Sequence, residues 1–439
     1  MVLGGGLAGL YAAYGLATAG RRVIVIEREF EPGGILRGHS LGSHRFSLAE
    51  APLATTDSKL AEDLIGLFSS GLVTAGTPPP PPRLRWNGGD LAVPIRFKDL
   101  IQGLAPAIRG DLVLSQLTAG FRRGSATSPR DAAEVIRSRF GAPLCQLVIQ
   151  PDLERYWGQT LKDLAPAAAD LPMRAFLATA PPPSDAPPVW TVGTGPDLVA
   201  ARLAHAVQAL GGKIFYGAEV EEVVLGEGED HQVVIRDLLS PEGEAPSRIA
   251  ISSQGVLSTI PLRGLIRALG NRVPAQIHAS SYYLTHLPIQ AYACLIRKER
   301  CLDHLTIHFR DRPFLRISEP NYFSATRQID DDSTLIVIEV PGRAPQHSSD
   351  GWQTILEALE SERICQRGEI LATQLLHAPG GHPILRKDGE AHLQRIQDCL
   401  SRFPDLALAG ACGRFTYASP AEAMISGRAA AATLTERSA

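Results

Sequence analysis

Apolar and polar positions alternate along this chain with two periods, and the switches between them mark its elements. Val2-Leu3 is a short apolar strand that runs at once into glycines. Small residues follow (Ala12, Ala13, Ala17), predicting a closely packed helix that ends at Gly20. Val23-Ile24-Val25-Ile26 is β-branched and predicts a strand ending on Glu27. Residues 37–49 read as a strand and a glycine turn, 57–70 as an amphipathic helix, and 83–100 as a hairpin turning at Asn87-Gly88. Helical spacing returns at 98–108, 130–140, 142–150 and 161–169, then at 197–210. Strands are predicted at 213–216, 218–224, 232–237 and 256–260. The aromatic-rich segments 281–297, 305–317 and 334–340 predict a further sheet. Helices follow at 352–362 and 388–402, then a last strand at 406–410. The proline runs at 78–82 and 181–188 read as extended spacers. A final helix opens at Ser419-Pro420-Ala421-Glu422, with Ser419 as N-cap and Glu422 three residues on.

Composition narrows the reading. The chain has 439 residues, 44% hydrophobic and 20% charged, which suits two or three domains. A net charge of −3 argues against nucleic acid or an anionic membrane as the main partner. No apolar run approaches the roughly 18 residues of a membrane span, and the N-terminus does not pattern as a signal peptide. Six scattered cysteines (Cys145, Cys294, Cys301, Cys365, Cys399, Cys412) include no C-x-x-C pair. They fit reduced thiols in a cytoplasm and argue against a metal site. The expected partner is a small-molecule substrate, with a homodimer left open.

The chemistry starts at Gly4-x-Gly6-x-x-Gly9. With the strands and helix around it, this is the whole βαβ dinucleotide pattern. Gly4 allows the tight turn, Gly6 lets backbone N–H groups approach a pyrophosphate, and Gly9 lets the helix lie close. Glu27 lies about 20 residues on, where a carboxylate accepts ribose hydroxyls and repels a 2′-phosphate. Only three residues precede the glycines, so the first strand reads as short.

A second glycine pair, Gly33-Gly34, follows the ribose acid. It resembles the extended FAD fingerprint of the amine oxidase and glutathione reductase superfamily. Further pieces fall in order: L-G-S-H-R-F at 41–46, R-L-R-W-N-G at 83–88 with Pro94, P-D-L-E-R-Y-W-G at 151–158, and G-T-G-P at 193–196. Then come Gly211-Gly212, G-A-E-V at 217–220, S-T-I-P-L at 258–262 and L-A-G-A-C-G-R-F at 408–415. Together they resemble the UDP-galactopyranose mutase-like branch of the FAD-dependent amine oxidase/protoporphyrinogen oxidase superfamily. The resemblance implies an α/β fold: a glutathione reductase-like, Rossmann-type FAD-binding domain, an interleaved mixed-sheet substrate domain and a small helical region. The expected segments are 1–75, 190–265 and 405–439 for FAD, 76–189 for a hairpin and helical substrate region, and 266–404 for the substrate sheet.

For FAD, the resemblance implies Gly4, Gly6, Gly9, Glu27, Arg28 and Val220 at the ADP half, and Gly34 and Arg37 by the ribityl chain. It places the Gly42-Ser43-His44 loop at the flavin ring and Gly410 at the ribityl and pyrimidine. Ala421, Glu422 and Ala423 open the last helix, whose positive end would face the flavin pyrimidine. His44 and Tyr417 are the catalytic candidates, though His44 serves equally well as a brace for its loop. Arg45, Tyr156, Trp157, Arg310, Arg312 and Tyr322 are the substrate-binding candidates, though Arg45 reads equally as a surface arginine and composition alone would put Tyr156-Trp157 in the core. Arg310, Arg312 and Arg316 alternate, so on one strand they would share a face. The same pattern suits a solvated edge strand.

Against the sugar mutases, the tail at 416–423 reads T-Y-A-S-P-A-E-A and lacks their Asp and His. The preferred reading is therefore an FAD-dependent oxidoreductase that takes a hydride from an amine, amino acid or partly reduced ring. The flavin would be reoxidised by O2 or another acceptor. A mutase-like enzyme acting on a nucleotide sugar and a flavin-bound partner protein without turnover are the alternatives.

Overall fold

Five short strands lie parallel in the order Lys213–Phe215, Ile24–Ile26, Val2–Leu3, Val256–Ser258, Leu406–Leu408. They belong to a computed structural model that describes residues 1–48, 53–68, 72–76, 82–86, 89–93, 110, 129–169, 188–226, 231–239, 247–322, 332–342 and 349–437. The strands are apolar along their length because both faces are covered, as parallel sheets require. Val2, Val25, Leu257 and Ala407 pack under the helices Leu7–Thr18, Pro196–Ala209 and Pro420–Arg437. Leu3, Ile26, Val256 and Leu406 pack on the other side against helix Leu262–Leu269 and a three-stranded antiparallel sheet. That sheet comprises Ala218–Val224, His231–Asp237 and Arg248–Ser253.

The N-terminal and C-terminal helices touch backbone to backbone. A Cβ on Gly427 would stand 2.2 Å from the Ala8 carbonyl oxygen, so only glycine permits this approach.

A second, seven-stranded sheet runs Ile370–Pro383, His286–Ile296, Thr334–Val340, Arg316–Ser318, Thr306–Phe309, Arg83–Trp86, Gly89–Ala92. It is mixed, since Thr306–Phe309 pairs in parallel with Arg83–Trp86. All seven residues of Thr334–Val340 are buried. Ile336, Ile338 and Val340 face helix Ser349–Ser361, while Leu335 and Val337 face Phe46 and Leu48 of the neighbouring hairpin. Strand alternation thus fills two cores at once.

Some elements depart from the sequence reading. The predicted strand 305–317 is two strands, Thr306–Phe309 and Arg316–Ser318, paired antiparallel across a turn. Pro313 has no N–H to give a ladder and fixes its own φ, which breaks the run. Segment 161–169 contributes only a 3₁₀ turn at Pro166–Ala169. The helical run from Ala142 continues to Trp157 through a π segment at Cys145–Ile149. The 14-residue strand Ile370–Pro383 was not among the predicted elements and carries Pro379-Gly380-Gly381 within it. It is an edge strand, where proline is tolerated. A Cβ on Gly381 would meet the Leu287 carbonyl oxygen at 2.2 Å.

The predicted helix 98–108, the Asn87-Gly88 turn, Pro94 and most of both proline spacers lie outside the described residues. Among the described residues, no helix is long and apolar enough to cross a membrane, and no cluster of metal-ligating side chains occurs.

Candidate functional site

The glycine turn shows why each glycine stands where it does. Gly4 has φ +102°, a left-handed conformation, and a Cβ there would collide with Thr259 Oγ1 at 2.4 Å. A Cβ on Gly9 would stand 2.0 Å from the Gly4 carbonyl oxygen. Gly6 has open space in front of it and begins helix Leu7–Thr18 with no side-chain cap. The helix's first N–H groups are therefore left for a ligand. Gly33, at φ +117°, donates its N–H to the Gly5 carbonyl at 2.8 Å. Gly34, at φ +59°, lies against Gly6. The second glycine pair thus closes onto the first.

Glu27 ends its strand with a buried carboxylate. Oε2 accepts the Gly5 N–H at 2.6 Å and Oε1 accepts the Glu29 N–H at 2.8 Å. Burial raises its pKa above the usual carboxylate value, and the two backbone donors work against that rise. The chain therefore holds a fixed acceptor beside the open glycine turn.

A single cavity of about 790 Å³ extends from this turn to the seven-stranded sheet. The volume is within the range of small-molecule sites. Its nucleotide-side wall includes Gly4, Gly6, Glu27, Arg28, Gly34, Arg37, Val220 and Gly410. Arg28 and Arg37 both pair with Glu29, at 2.9 and 3.5 Å. Gly410 has φ +73° and gives its N–H to Ser426 Oγ at 2.8 Å. The opposite wall comes from helix Gln150–Trp157 and the seven-stranded sheet, with Asp152, Tyr156, His308, Arg316, Glu339 and His382 among its residues. Tyr417, Ser419, Pro420 and Ala423 contribute from the C-terminal helix and the turn before it.

The aromatic wall is layered. Tyr156 meets Trp157 edge-on at 4.9 Å, and Trp157 stacks on Tyr417 at 5.0 Å. Trp157 is fully buried and supports the two tyrosines from behind, so it does not face the cavity itself. Burial raises the pKa of both tyrosines, which stay protonated near neutral pH.

Several expected site residues stand outside this cavity. His44 is buried with both ring nitrogens engaged: Asn321 Nδ2 is 2.9 Å from Nδ1, and Ser333 Oγ is 3.1 Å from Nε2. It braces the hairpin Gly38–Leu41/His44–Ser47. Gly42 and Ser43 form that hairpin's exposed tip, with Gly42 at φ +61° against Leu295. Arg45 turns away to Asp197 at 2.9 Å and Glu31 at 3.2 Å. Arg310 lies behind the wall against Asp152, and Arg312 binds Glu362 at the surface. Because the chain turns between the two strands, Arg310 and Arg312 share no strand face with Arg316. Ala421 is buried against the core that includes Leu7 and Leu10. The Tyr322 side chain lies outside the described residues.

Glu422 closes a capping box. Its Oε2 accepts the Ser419 N–H at 2.8 Å, and its own N–H reaches Ser419 Oγ at 3.2 Å. Glu422→Gln keeps a side-chain oxygen in the same place. It should lower stability by less than about 1 kcal/mol and leave FAD content and turnover near wild type. Loss of turnover with FAD still bound would contradict a purely structural Glu422.

The second wall also holds Arg316, the third of the alternating arginines, and groups that the sequence did not point to: Glu339, His308 and His382. Arg316 donates through Nε to Glu339 Oε2 at 2.6 Å. Burial pushes His308 down to about 3 and also lowers His382, so both imidazoles are neutral at pH 7. His377 and His382 flank Ala378-Pro379-Gly380-Gly381 on the edge strand.

This geometry has relatives. Among curated proteins, a phytoene dehydrogenase from Streptomyces griseus is 49% identical over 63 residues, a match that spans 14% of this chain and 12% of that protein. Among solved structures, reduced UDP-galactopyranose mutase superposes with TM-score 0.79 at 12% identity, covering 99% of this chain and 93% of that one. An Exiguobacterium sp. 255-15 protein assigned as a protoporphyrinogen oxidase gives 0.70 at 15% identity, covering 99% and 98%. Putrescine oxidase bound to putrescine gives 0.62 at 14%, covering 99% and 98%. These likenesses establish the fold. The open glycine turn, the uncapped helix and the fixed Glu27 carboxylate fit the diphosphate and ribose of FAD. The DAO family, FAD dependent oxidoreductase, matches residues 1–414, and this chain belongs to that family with FAD as its cofactor.

Proposed function

We propose that the protein removes a hydride from a small molecule (an amine, amino acid or partly reduced ring) and returns the electrons to O2 or another acceptor. One observation carries this reading. A single cavity joins the dinucleotide cradle to a wall of aromatic and titratable side chains from a different sheet. Bound FAD supplies a two-electron acceptor there. On our reading Gly4, Gly6, Gly9 and Glu27 hold its ADP half. Arg28, Gly34, Arg37, Val220, Gly410 and Ala423 line its path. Tyr156 and Tyr417 present flat faces to the substrate, held in place by Trp157. Arg316 reaches the cavity with its Nε held by Glu339. The tail at 416–423 lacks the Asp and His of the sugar mutases, which favours a compact substrate over a nucleotide sugar. We assign residues 1–75, 190–265 and 405–439 to FAD binding and the intervening segments to the substrate side. The six cysteines are all free, which supports a cytoplasmic setting.

Anaerobic mixing with panels of amines, amino acids and reduced cyclic compounds tests the reading. It expects at least one compound to bleach the oxidised flavin's visible band. If none does, and turnover of nucleotide sugars begins only after dithionite reduction, the mutase-like reading replaces it. Silence in both assays would leave a flavin-bound partner protein.

A further inference from the structure

Oxidation of an amine or alcohol carbon releases a proton as well as a hydride, so the site needs a group to receive it. Two carboxylates line the substrate-side wall, and they differ in how firmly they are held. Glu339 is engaged by Arg316 at 2.6 Å. Asp152 pairs with Arg310, whose Nε stands 3.3 Å from Oδ1. Asp152 and Tyr156 are four residues apart on helix Gln150–Trp157, so they share a face, and both line the cavity.

A second side chain of the helix, Arg155, also pins it to the opposite strand pair. Arg155 donates Nη1 to the carbonyls of Phe309 and Arg310, each at 2.8 Å. Its Nη2 donates to Phe314 at 2.7 Å and also to Arg312. Both Nη groups are thus engaged by backbone carbonyls, and the charge of Arg155 favours the ionised form of Asp152. The groups facing Asp152 are Arg155 from its own helix and Arg310 and Asp311 from the 310–315 turn. His308, Arg316 and Glu339 stand further along the same wall. Burial outweighs the two arginines and pushes Asp152 up to about 6. The neutral imidazoles of His308 and His382 hold protons poorly, and the tyrosines keep theirs.

We propose that Asp152 is the proton acceptor of the substrate half-reaction. This assignment rests on the redox reading above. For a substrate H–C–X–H, with X nitrogen or oxygen, the C–H bond breaks and its hydride carries two electrons to FAD. The X–H bond breaks, its proton forms an O–H bond on the Asp152 carboxylate, and C=X results. Asp152 must be ionised for this, so the rate rises with pH through the Asp152 pKa.

The test compares wild type with Asp152→Asn and Asp152→Glu, all loaded with FAD. Two readouts are taken: kcat/KM against pH for the compound that bleaches the flavin, and infrared pH-difference spectra of the proteins without substrate. Asp152→Asn should lose roughly 10²- to 10⁴-fold in kcat/KM together with the acid limb near pH 6. Asp152→Glu should restore a limb and much of the rate. The infrared spectra should contain a protonated-carboxyl band that titrates near pH 6 in wild type and is missing from Asp152→Asn. An Asp152→Asn enzyme that keeps its rate and its acid limb overturns the assignment and leaves the redox reading intact. An unchanged infrared band in Asp152→Asn overturns it even if no substrate is found. Failure of every compound to reduce the wild-type flavin overturns the redox reading and this role with it.

Discussion

Gly9→Ala should yield a protein that cannot retain FAD. The added Cβ would lie 2.0 Å from the Gly4 carbonyl oxygen, a backbone atom that has nowhere to retreat. Gly4 is fixed at φ +102°, and Thr259 Oγ1 donates to the carbonyls of Leu3 and Gly4 at 2.9 and 3.3 Å. Relief requires either the helix to lift from the turn or the turn itself to open. Overpacking of this kind costs about 1–3 kcal/mol, and the displaced atoms are those that meet the diphosphate. We expect FAD affinity to fall at least 100-fold, about 2.7 kcal/mol at 25 °C. Gly15→Ala lies on the same helix with open space around it, so it should bind FAD normally. It should also gain up to about 1 kcal/mol in stability from helix propensity. Fluorescence titration of the refolded apoproteins with FAD distinguishes the pair.

Trp157→Ala should give the largest loss of stability among the cavity-wall variants. The indole is completely buried and packs on Tyr156, Tyr417 and His382, the last at 6.5 Å edge-on. Removal leaves a cavity behind two wall residues and costs about 3–5 kcal/mol. It also frees Tyr156 and Tyr417 to rotate away from the substrate side, so KM should rise more than kcat falls. FAD binding should persist, since Trp157 does not line the cavity. Trp157→Phe refills most of the volume and should lose less than half as much. Urea midpoints for the three proteins check the order. A Trp157→Ala midpoint equal to wild type would show that the indole is not the support described here.

Much of the cofactor half was legible in the sequence because it is local. The turn, helix, strand and carboxylate occupy residues 2–27, and each glycine answers a backbone constraint visible in the spacing. The capping box at Ser419 and Glu422 was legible for the same reason. Of the substrate half, Tyr156 and Tyr417 were legible and the rest was not. Asp152, His308, Arg316, Glu339 and His382 come from five separate elements, and only long-range strand pairing brings them to one wall. The partners of His44 and Arg45 were not legible, because their motif is local while Ser333, Asn321 and Asp197 are remote. The arginines at 310 and 312 misled because a turn interrupts what reads as a continuous strand. The edge strand Ile370–Pro383 was hidden by the Pro-Gly-Gly that lets it pass close to Leu287.

Whether this cavity oxidises what it binds is decided by the mass of the product formed in a single anaerobic turnover of the FAD-loaded protein. The expected product has lost two hydrogens, or is the carbonyl compound that water gives from the resulting imine with release of its nitrogen, and it forms as the oxidised flavin band disappears. A product of the same mass as its substrate, formed only by protein whose flavin had first been reduced, would contradict oxidation in this cavity.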